Sequence, residues 1–371
     1  MKILLVGGAV RDLLLGRRVR DMDFLVLDGD EQEFVRAFPE AQKVGRHFPV
    51  FLYQGGEFSF PRGEGIDQDL SARDLTINAM ALDEEGNLFA HPKALEDLAE
   101  RRLRPASDTS LDEDPLRVVR SARIWAELPE FSPSAELVEA MKRAGSKERL
   151  AKIPRERIAS ECLKGFQAKR PGNFLRLLYR AKTLSPWFEE FGRSDEIPAG
   201  PRPHHSESVL EHVCSVMDAL AGHSLRVWMG MCHDLGKTAT DPQLLPHHYG
   251  HEVRGADMAE ALGNRLGLPN RFITAGRIAA GRHMTGGQYP KLRPGTRVDL
   301  LSELAARELM EEFFAVVRAD HGEDFLDAAK RDLETIQSVH LPPEDQDLGP
   351  ASGEKLRQMR AQALGREGRK V

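Results

Sequence analysis

Cysteine is scarce in this sequence, and long apolar runs are missing. The 371 residues include three cysteines, Cys162, Cys214 and Cys232, an odd number with no CxxC pair. That argues against a disulfide framework and makes a reducing cytoplasm the expected compartment. No apolar stretch approaches the ~18 residues that a membrane span requires. The opening MKILLVGGAV is apolar for a few residues and then meets Arg11 and Asp12, without the long apolar stretch or cleavage pattern of a signal peptide. An overall positive charge is lacking too: 52 Lys and Arg stand against 58 Asp and Glu, a net charge of −6. With 41% hydrophobic and 30% charged residues, the composition is that of a globular protein, which excludes a disordered chain, a collagen and a coiled coil. The length allows two or three domains.

Two residue types are unevenly spread. Residues 142–182 carry 13 Lys and Arg but three acids, a local charge of +10 that leaves −16 for the rest of the chain. Such a block is either a solvated helical face or a surface for a phosphate-rich partner. Ten of the 13 histidines lie between His204 and His321, a clustering that points to a metal site.

Residues 1–105 read as mixed α/β: KILLVGG as a strand into a glycine turn, AVRDLLLG as a short helix, then the strands DFLVL, FPVFLYQ and EFSF. From about residue 112 the period is helical. Asp114 and Pro115 open one helix, and Pro154 stands in the first turn of another. The expected organisation is a head at 1–105, a helical neck and body at 106–192, a Pro-rich linker at 193–206, a helical domain at 207–345 and a polar, frayed tail at 346–371. Within the helical domain, helices are expected at about 207–221, 224–236, 253–266, 271–283 and 299–318.

Gly7-Gly8 between a strand and a helix lets backbone approach a phosphate. Asp21-Met22-Asp23 then leads into a strand, where positions i and i+2 share a side. Two such carboxylates repel unless a cation lies between them, and Mg²⁺ with substrate phosphates fits. Glu57, at the head of a strand, is the candidate third carboxylate, or a plain surface residue.

The run GGAVRDLLLGRRVRDMDFLV resembles the opening motif of the second class of bacterial tRNA nucleotidyltransferases, the CCA-adding enzymes of the polymerase-β-like superfamily. Further matches follow in order: Val44 to Phe51, Arg73 to Ala79, Glu113 to Arg117 and Arg157 to Glu161. The resemblance implies an α+β protein, with a mixed-sheet nucleotidyltransferase head followed by an all-α neck and body. It implies addition of C and A to the tRNA 3′ end from CTP and ATP by two-metal nucleotidyl transfer, with Asp21 and Asp23 holding Mg²⁺. Nucleotide binding falls to Gly8, Arg11, Arg73, Asp74, Asn78, Glu113, Asp114, Arg117 and Arg120. An acid accepts from the exocyclic amine that C and A share, and an arginine donates to a ring nitrogen or carbonyl, so an Asp/Arg pair rejects U and G. Lys142, Arg143, Lys152, Arg155, Arg157 and Lys164 become contacts to tRNA phosphates. Ala72 and His91 depart from the family pattern, standing where an arginine and an aspartate are usual. Between Arg62 and Arg73 lie only ten residues, where CCA-adding relatives carry a longer flexible loop. In this family a lost loop goes with enzymes that add CC alone and leave A to a separate A-adding partner. A poly(A) polymerase and a non-catalytic RNA-binding scaffold are the remaining alternatives.

His212, His233, Asp234, His251, His283 and Asp320 form a pattern of imidazoles and carboxylates suited to a divalent transition metal such as Ni²⁺ or Mn²⁺. It resembles the HD phosphohydrolase superfamily and the C-terminal half of gammaproteobacterial-type tRNA nucleotidyltransferases. That likeness implies an all-α HD domain that hydrolyses a phosphoester such as a 2′,3′-cyclic phosphate, or a degenerate HD fold kept as a scaffold. His204, His205, His247 and His248 are expected at the rim of such a site.

Overall fold

The computed structural model describes the chain apart from residues 20, 46–49, 62, 64, 202–205, 348 and 368–371. Part of the Val44–Phe51 motif, and the expected rim residues His204 and His205, therefore lie outside the described residues. The chain forms two compact units, Met1–Ile153 with Leu177–Thr183, and Pro154–Arg176 with Leu184–Val371.

The first unit is built on a seven-stranded mixed sheet. Its strands are β1 (Lys2–Val6), β2 (Met22–Leu27), β3 (Gln42–Val44), β4 (Val50–Tyr53), β5 (Gly56–Ser59), β6 (Met80–Leu82) and β7 (Leu88–Ala90), in the order β3-β4-β5-β2-β1-β6-β7. The β2–β5 pair is parallel, whereas β1 runs antiparallel to both β2 and β6. Successive residues of β2 point to opposite faces, and both Leu25 and Val26 are fully buried, so the sheet is covered on both sides. Leu25 joins Leu4, Val6, Leu70 and Ala81 on one side. Val26 joins Phe34, Phe51 and Phe58 on the other, where Phe24 stacks on Phe58 across the parallel pair at 4.7 Å. Burying each such aromatic ring contributes on the order of 2–3 kcal/mol. The expected strands are present; β3, β6 and β7 are additions, too short to show a periodic signal.

The second unit is helical. Its largest buried side chain, Trp228, packs against Phe166 at 5.9 Å and donates its indole N–H to the Phe272 carbonyl at 2.6 Å. Three expectations need correction. The helix expected over 299–318 is two helices, Pro294–Ala305 and Met310–His321. Glu308 turns the chain between them with φ 55°, and Leu309 N–H reaches back to the Leu304 carbonyl at 3.0 Å. This is a helix stop of the kind usually marked by glycine, written here with glutamate. The tail expected to fray forms the helix Pro350–Glu367, held by the forked Arg357–Asp299 pair at 2.6 and 2.7 Å and by buried Leu364. Finally, the described part of the segment read as a linker is docked: Ser194 and Ala199 are buried, and Val209 N–H donates to the Ile197 carbonyl. Among the described residues, no helix is long and apolar enough to cross a membrane.

Candidate functional site

In the first unit, β1 ends at Gly7, whose φ of 74° suits glycine alone and whose N–H donates to the Met80 carbonyl at 3.0 Å. A Cβ placed on Gly7 would lie 3.0 Å from Arg73 Nη1 and 3.9 Å from Asp23 Oδ2. Gly7→Ala is therefore expected to cost about 1 kcal/mol or more in stability and to slow any reaction at this site, readable by thermal unfolding beside an activity assay. Asp21 immediately precedes β2, and Asp23 pairs with Val6 on one side and with Glu57 of β5 on the other. Residues directly opposite in a sheet share a face, so Glu57 stands on the same side as Asp23. The register thus sets Glu57 beside Asp23.

Behind these acids runs a buried polar chain. Arg11 Nη1 donates to Asn78 Oδ1 at 2.7 Å, and Asn78 Nδ2 donates to Asp74 Oδ1 at 3.0 Å. Arg120 approaches Asp74 Oδ2 at 3.9 Å. Burial alone would raise the Asp74 carboxyl, but Arg120, Asn78 and the Leu75 N–H together hold it below the usual carboxylate range. Ser110 Oγ donates to the Asp74 carbonyl at 3.2 Å, and the buried Arg117 guanidinium donates to the Ser110 carbonyl. Arg117 also meets Glu113 Oε2 at 3.4 Å, and Asp114 accepts from Leu116 N–H at 3.1 Å at the start of the helix Leu116–Glu127. Gly8 opens the helix Gly8–Leu14 directly after Gly7. The expected nucleotide-binding residues thus lie within one unit, most of them in one continuous network. Sequence reasoning missed Asp69: Arg73 Nε and Nη2 both donate to its Oδ2, at 3.0 and 2.9 Å. The i, i+4 spacing was the available signal.

The basic block is divided between the units, with Lys142, Arg143 and Lys152 in the first and Arg155, Arg157 and Lys164 in the second. Arg143 bonds Asp112 at 3.0 Å and the Asp108 carbonyl, so part of its charge is used inside the fold. Lys152 and Lys164 are exposed.

In the second unit, helices bring all six expected ligands into one buried centre. His212 Nε2 lies 3.2 Å from His233 Nε2, 3.1 Å from Asp320 Oδ1 and 3.4 Å from Asp234 Oδ2. His251 Nε2 lies 3.2 Å from His283 Nε2, and both face Asp234 Oδ1, at 3.5 and 3.4 Å. The groups His212–His233–Asp234 and Asp234–His251–His283 have the spacing of metal-ligand sets. The remaining ring nitrogens explain why. Nδ1 of His233, His251 and His283 sits 2.6, 2.7 and 3.0 Å from the carbonyls of Gly230, His248 and Ala280. A carbonyl only accepts, so each Nδ1 donates and each ring turns its Nε2 inward. In the His251–His283 pair the two Nε2 atoms stand 3.2 Å apart, a spacing that a shared cation would suit. Asp234 Oδ1 is buried and accepts no hydrogen bond among the described residues, as a carboxylate awaiting a metal would be. Burial alone would raise this carboxyl, but His233 and Lys237, whose Nζ is 2.7 Å away, hold it well below its ordinary range. Gly236 is required here, because a Cβ would strike the His251 carbonyl. His248, expected at the rim, bridges Thr240 Oγ1 and the Pro198 carbonyl, each at 2.8 Å. His247 is exposed and stacks on Tyr249.

Comparison with known proteins agrees with this layout. Residues 3–56 match the family model described as Poly A polymerase head domain, and residues 130–193 match the one described as Probable RNA and SrmB-binding site of polymerase A. The chain is 35% identical over 343 residues to the Multifunctional CCA protein of Aromatoleum aromaticum, covering 86% of this chain and 83% of that protein. It is 34% identical over 335 residues to the Multifunctional CCA protein of Actinobacillus pleuropneumoniae, covering 82% and 80%. The fold is shared with the Bacillus stearothermophilus CCA-adding enzyme solved with CTP, at a TM-score of 0.67, 21% identity and coverage of 98% of this chain and 89% of that one. It is shared also with the Thermotoga maritima CCA-adding enzyme solved with tRNA, at a TM-score of 0.65, 18% identity and coverage of 98% and 87%.

Proposed function

The chain belongs to the bacterial CCA-adding tRNA nucleotidyltransferase family, and from that premise we propose that its first unit transfers CMP and AMP from CTP and ATP to the 3′ end of tRNA. The observation that carries this reading is the register Val6–Asp23–Glu57 at the mouth formed by Gly7 and Arg73. Asp21 and Asp23, with Glu57 opposite, would hold two Mg²⁺ ions. Bound there, they supply the charge that offsets the triphosphate and favours ionisation of the attacking 3′-hydroxyl. Arg73 steadies the triphosphate, and Arg11, Asn78 and Asp74 set the sugar side. Glu113 and Asp114 accept from the base amine while Arg117, anchored on Ser110, donates to the ring. Exposed Lys142, Lys152, Arg155, Arg157 and Lys164, with the outer part of Arg143, meet the tRNA backbone. A cytoplasmic location fits these substrates.

The end product is decided by experiment. Transcripts ending at the discriminator base, at C and at CC are incubated with CTP or ATP, and their 3′ ends read at single-nucleotide resolution. A full CCA enzyme places A on tRNA-CC. The short segment 63–72 favours a second reading, addition that stops at CC and passes the end to a separate A-adding enzyme. Failure to extend tRNA-CC with ATP would establish it. Processive A addition to unstructured RNA would instead mark a poly(A) polymerase.

We further propose that the second unit is an HD-type phosphohydrolase, whose two ligand groups sharing Asp234 would each hold a divalent transition metal such as Ni²⁺ or Mn²⁺. The donor set fits: His212 and His233 face Asp234 Oδ2, Asp320 Oδ1 lies against the same two imidazoles, and His251 and His283 face the otherwise unbonded Asp234 Oδ1. Such metals supply Lewis-acid activation of water against a phosphoester. Lys237, tied between Asp234 and the Ala199 carbonyl, holds the shared carboxylate in place. Elemental analysis of purified protein should find two metals per chain, with hydrolysis of 2′,3′-cyclic AMP. A metal-free, inactive centre would leave this unit a scaffold.

A further inference from the structure

The ten residues between Arg62 and Arg73 fold, where described, into the helix Ile66–Ser71. Leu70 anchors that helix in the core beside Leu4, Val6 and Leu25, and Asp69 is buried at 3% exposure. The Asp69 carboxylate takes two N–H donors of one guanidinium, Nε and Nη2 of Arg73, on its Oδ2. That fork fixes the plane of the guanidinium and turns the remaining nitrogen, Nη1, toward Gly7, on the side where Asp23 Oδ2 also stands. The Arg73 side chain keeps 19% exposure, against 5% for that of Asp69, so the arginine reaches solvent at the mouth of the site while its partner does not.

We propose that Asp69 is the positioning residue for Arg73, and that the short helix sets nucleotide affinity by presenting that guanidinium ready oriented to the incoming triphosphate. The inference rests on the reading of this site as the nucleotidyl-transfer site. A guanidinium on a long, flexible stem loses much rotational freedom on meeting a phosphate. One already held in plane by a buried carboxylate loses little, and the gain falls on ground-state binding of the nucleotide rather than on the chemical step. Asp69 touches neither nucleotide nor tRNA; it acts through Arg73.

The test is the kinetics of CMP addition at saturating tRNA with Mg²⁺. Asp69→Asn should raise KM for CTP about tenfold and leave kcat within about twofold. In an Arg73→Ala background the same substitution should add less than about twofold, because the positioned group is gone. A merely structural aspartate would lower the melting temperature and move KM equally in both backgrounds, or not at all, and either result overturns the inference. Should Asp69→Asn fail to fold, Arg73→Lys supplies the answer. It retains the charge without the fork and should raise KM by at least as much, and an unchanged KM would overturn the proposal. A wild-type protein that neither binds CTP nor transfers CMP would instead overturn the reading of the site, and the inference with it.

Discussion

Asp23→Ala should abolish nucleotide addition, lowering single-turnover incorporation of labelled CMP by about 10³-fold or more. Asp23 pairs with both Val6 and Glu57 and stands beside Gly7, so its carboxylate occupies the centre of the acidic face. Its loss removes the one ligand that both neighbouring acids share as a sheet or sequence partner. Asp21 sits outside β2, and Glu57 alone cannot hold a doubly charged ion against water. Metal stabilisation of several kcal/mol translates into the expected loss at ~1.4 kcal/mol per tenfold. Binding of tRNA, measured by filter retention at fixed salt, should stay within about twofold, because the basic residues assigned to it lie elsewhere in the chain. Retained transfer would disprove the assignment of the metal-binding acids.

Asp234→Asn should empty the second centre of both metals and abolish phosphoester hydrolysis, a loss of ~10²-fold or more, while nucleotide addition continues. The carboxylate faces His212 and His233 through one oxygen and His251 and His283 through the other. An amide keeps the shape, but it offers one oxygen and sets two N–H donors against imidazole nitrogens or Lys237. Asparagine is the informative replacement, since its amide oxygen can still accept from buried Lys237, whereas alanine would leave no acceptor there and a cavity besides. Metal analysis and hydrolysis of 2′,3′-cyclic AMP read the result. Two metals retained in the asparagine variant would end the assignment of Asp234 as a shared ligand.

Much of this was legible in the sequence because residue type and spacing carry chemistry directly. Gly7-Gly8, Asp21-x-Asp23, Glu113-Asp114-x-x-Arg117 and His233-Asp234 are local patterns, readable without the fold. What required the fold was non-local. Glu57 stands opposite Asp23 through a parallel register, which no local pattern encodes. The Asp69–Arg73 fork crosses the end of a short helix, so helical spacing hinted at it weakly. The break at Glu308 was hidden because an apolar stripe continues on both sides and glutamate replaces the usual glycine. The helix Pro350–Glu367 was misread from its polarity: its ion pair from Arg357 to Asp299 and one buried leucine do the work of an apolar face. The division of the second centre into two ligand groups depended on which oxygen of Asp234 faces which imidazole.

The six side chains of that centre come from along a chain segment in which His212 and Asp320 stand 108 residues apart. An ion held there acts as a reversible cross-link, closing several loops at once at a point the unfolded chain cannot reproduce. Its contribution grows with the free ion as RT ln(1 + [M]/Kd), about 4 kcal/mol at a thousandfold excess over Kd. With such an ion bound, the metal supply would enter the folding equilibrium of this unit. A chelator should then lower the melting temperature of that unit.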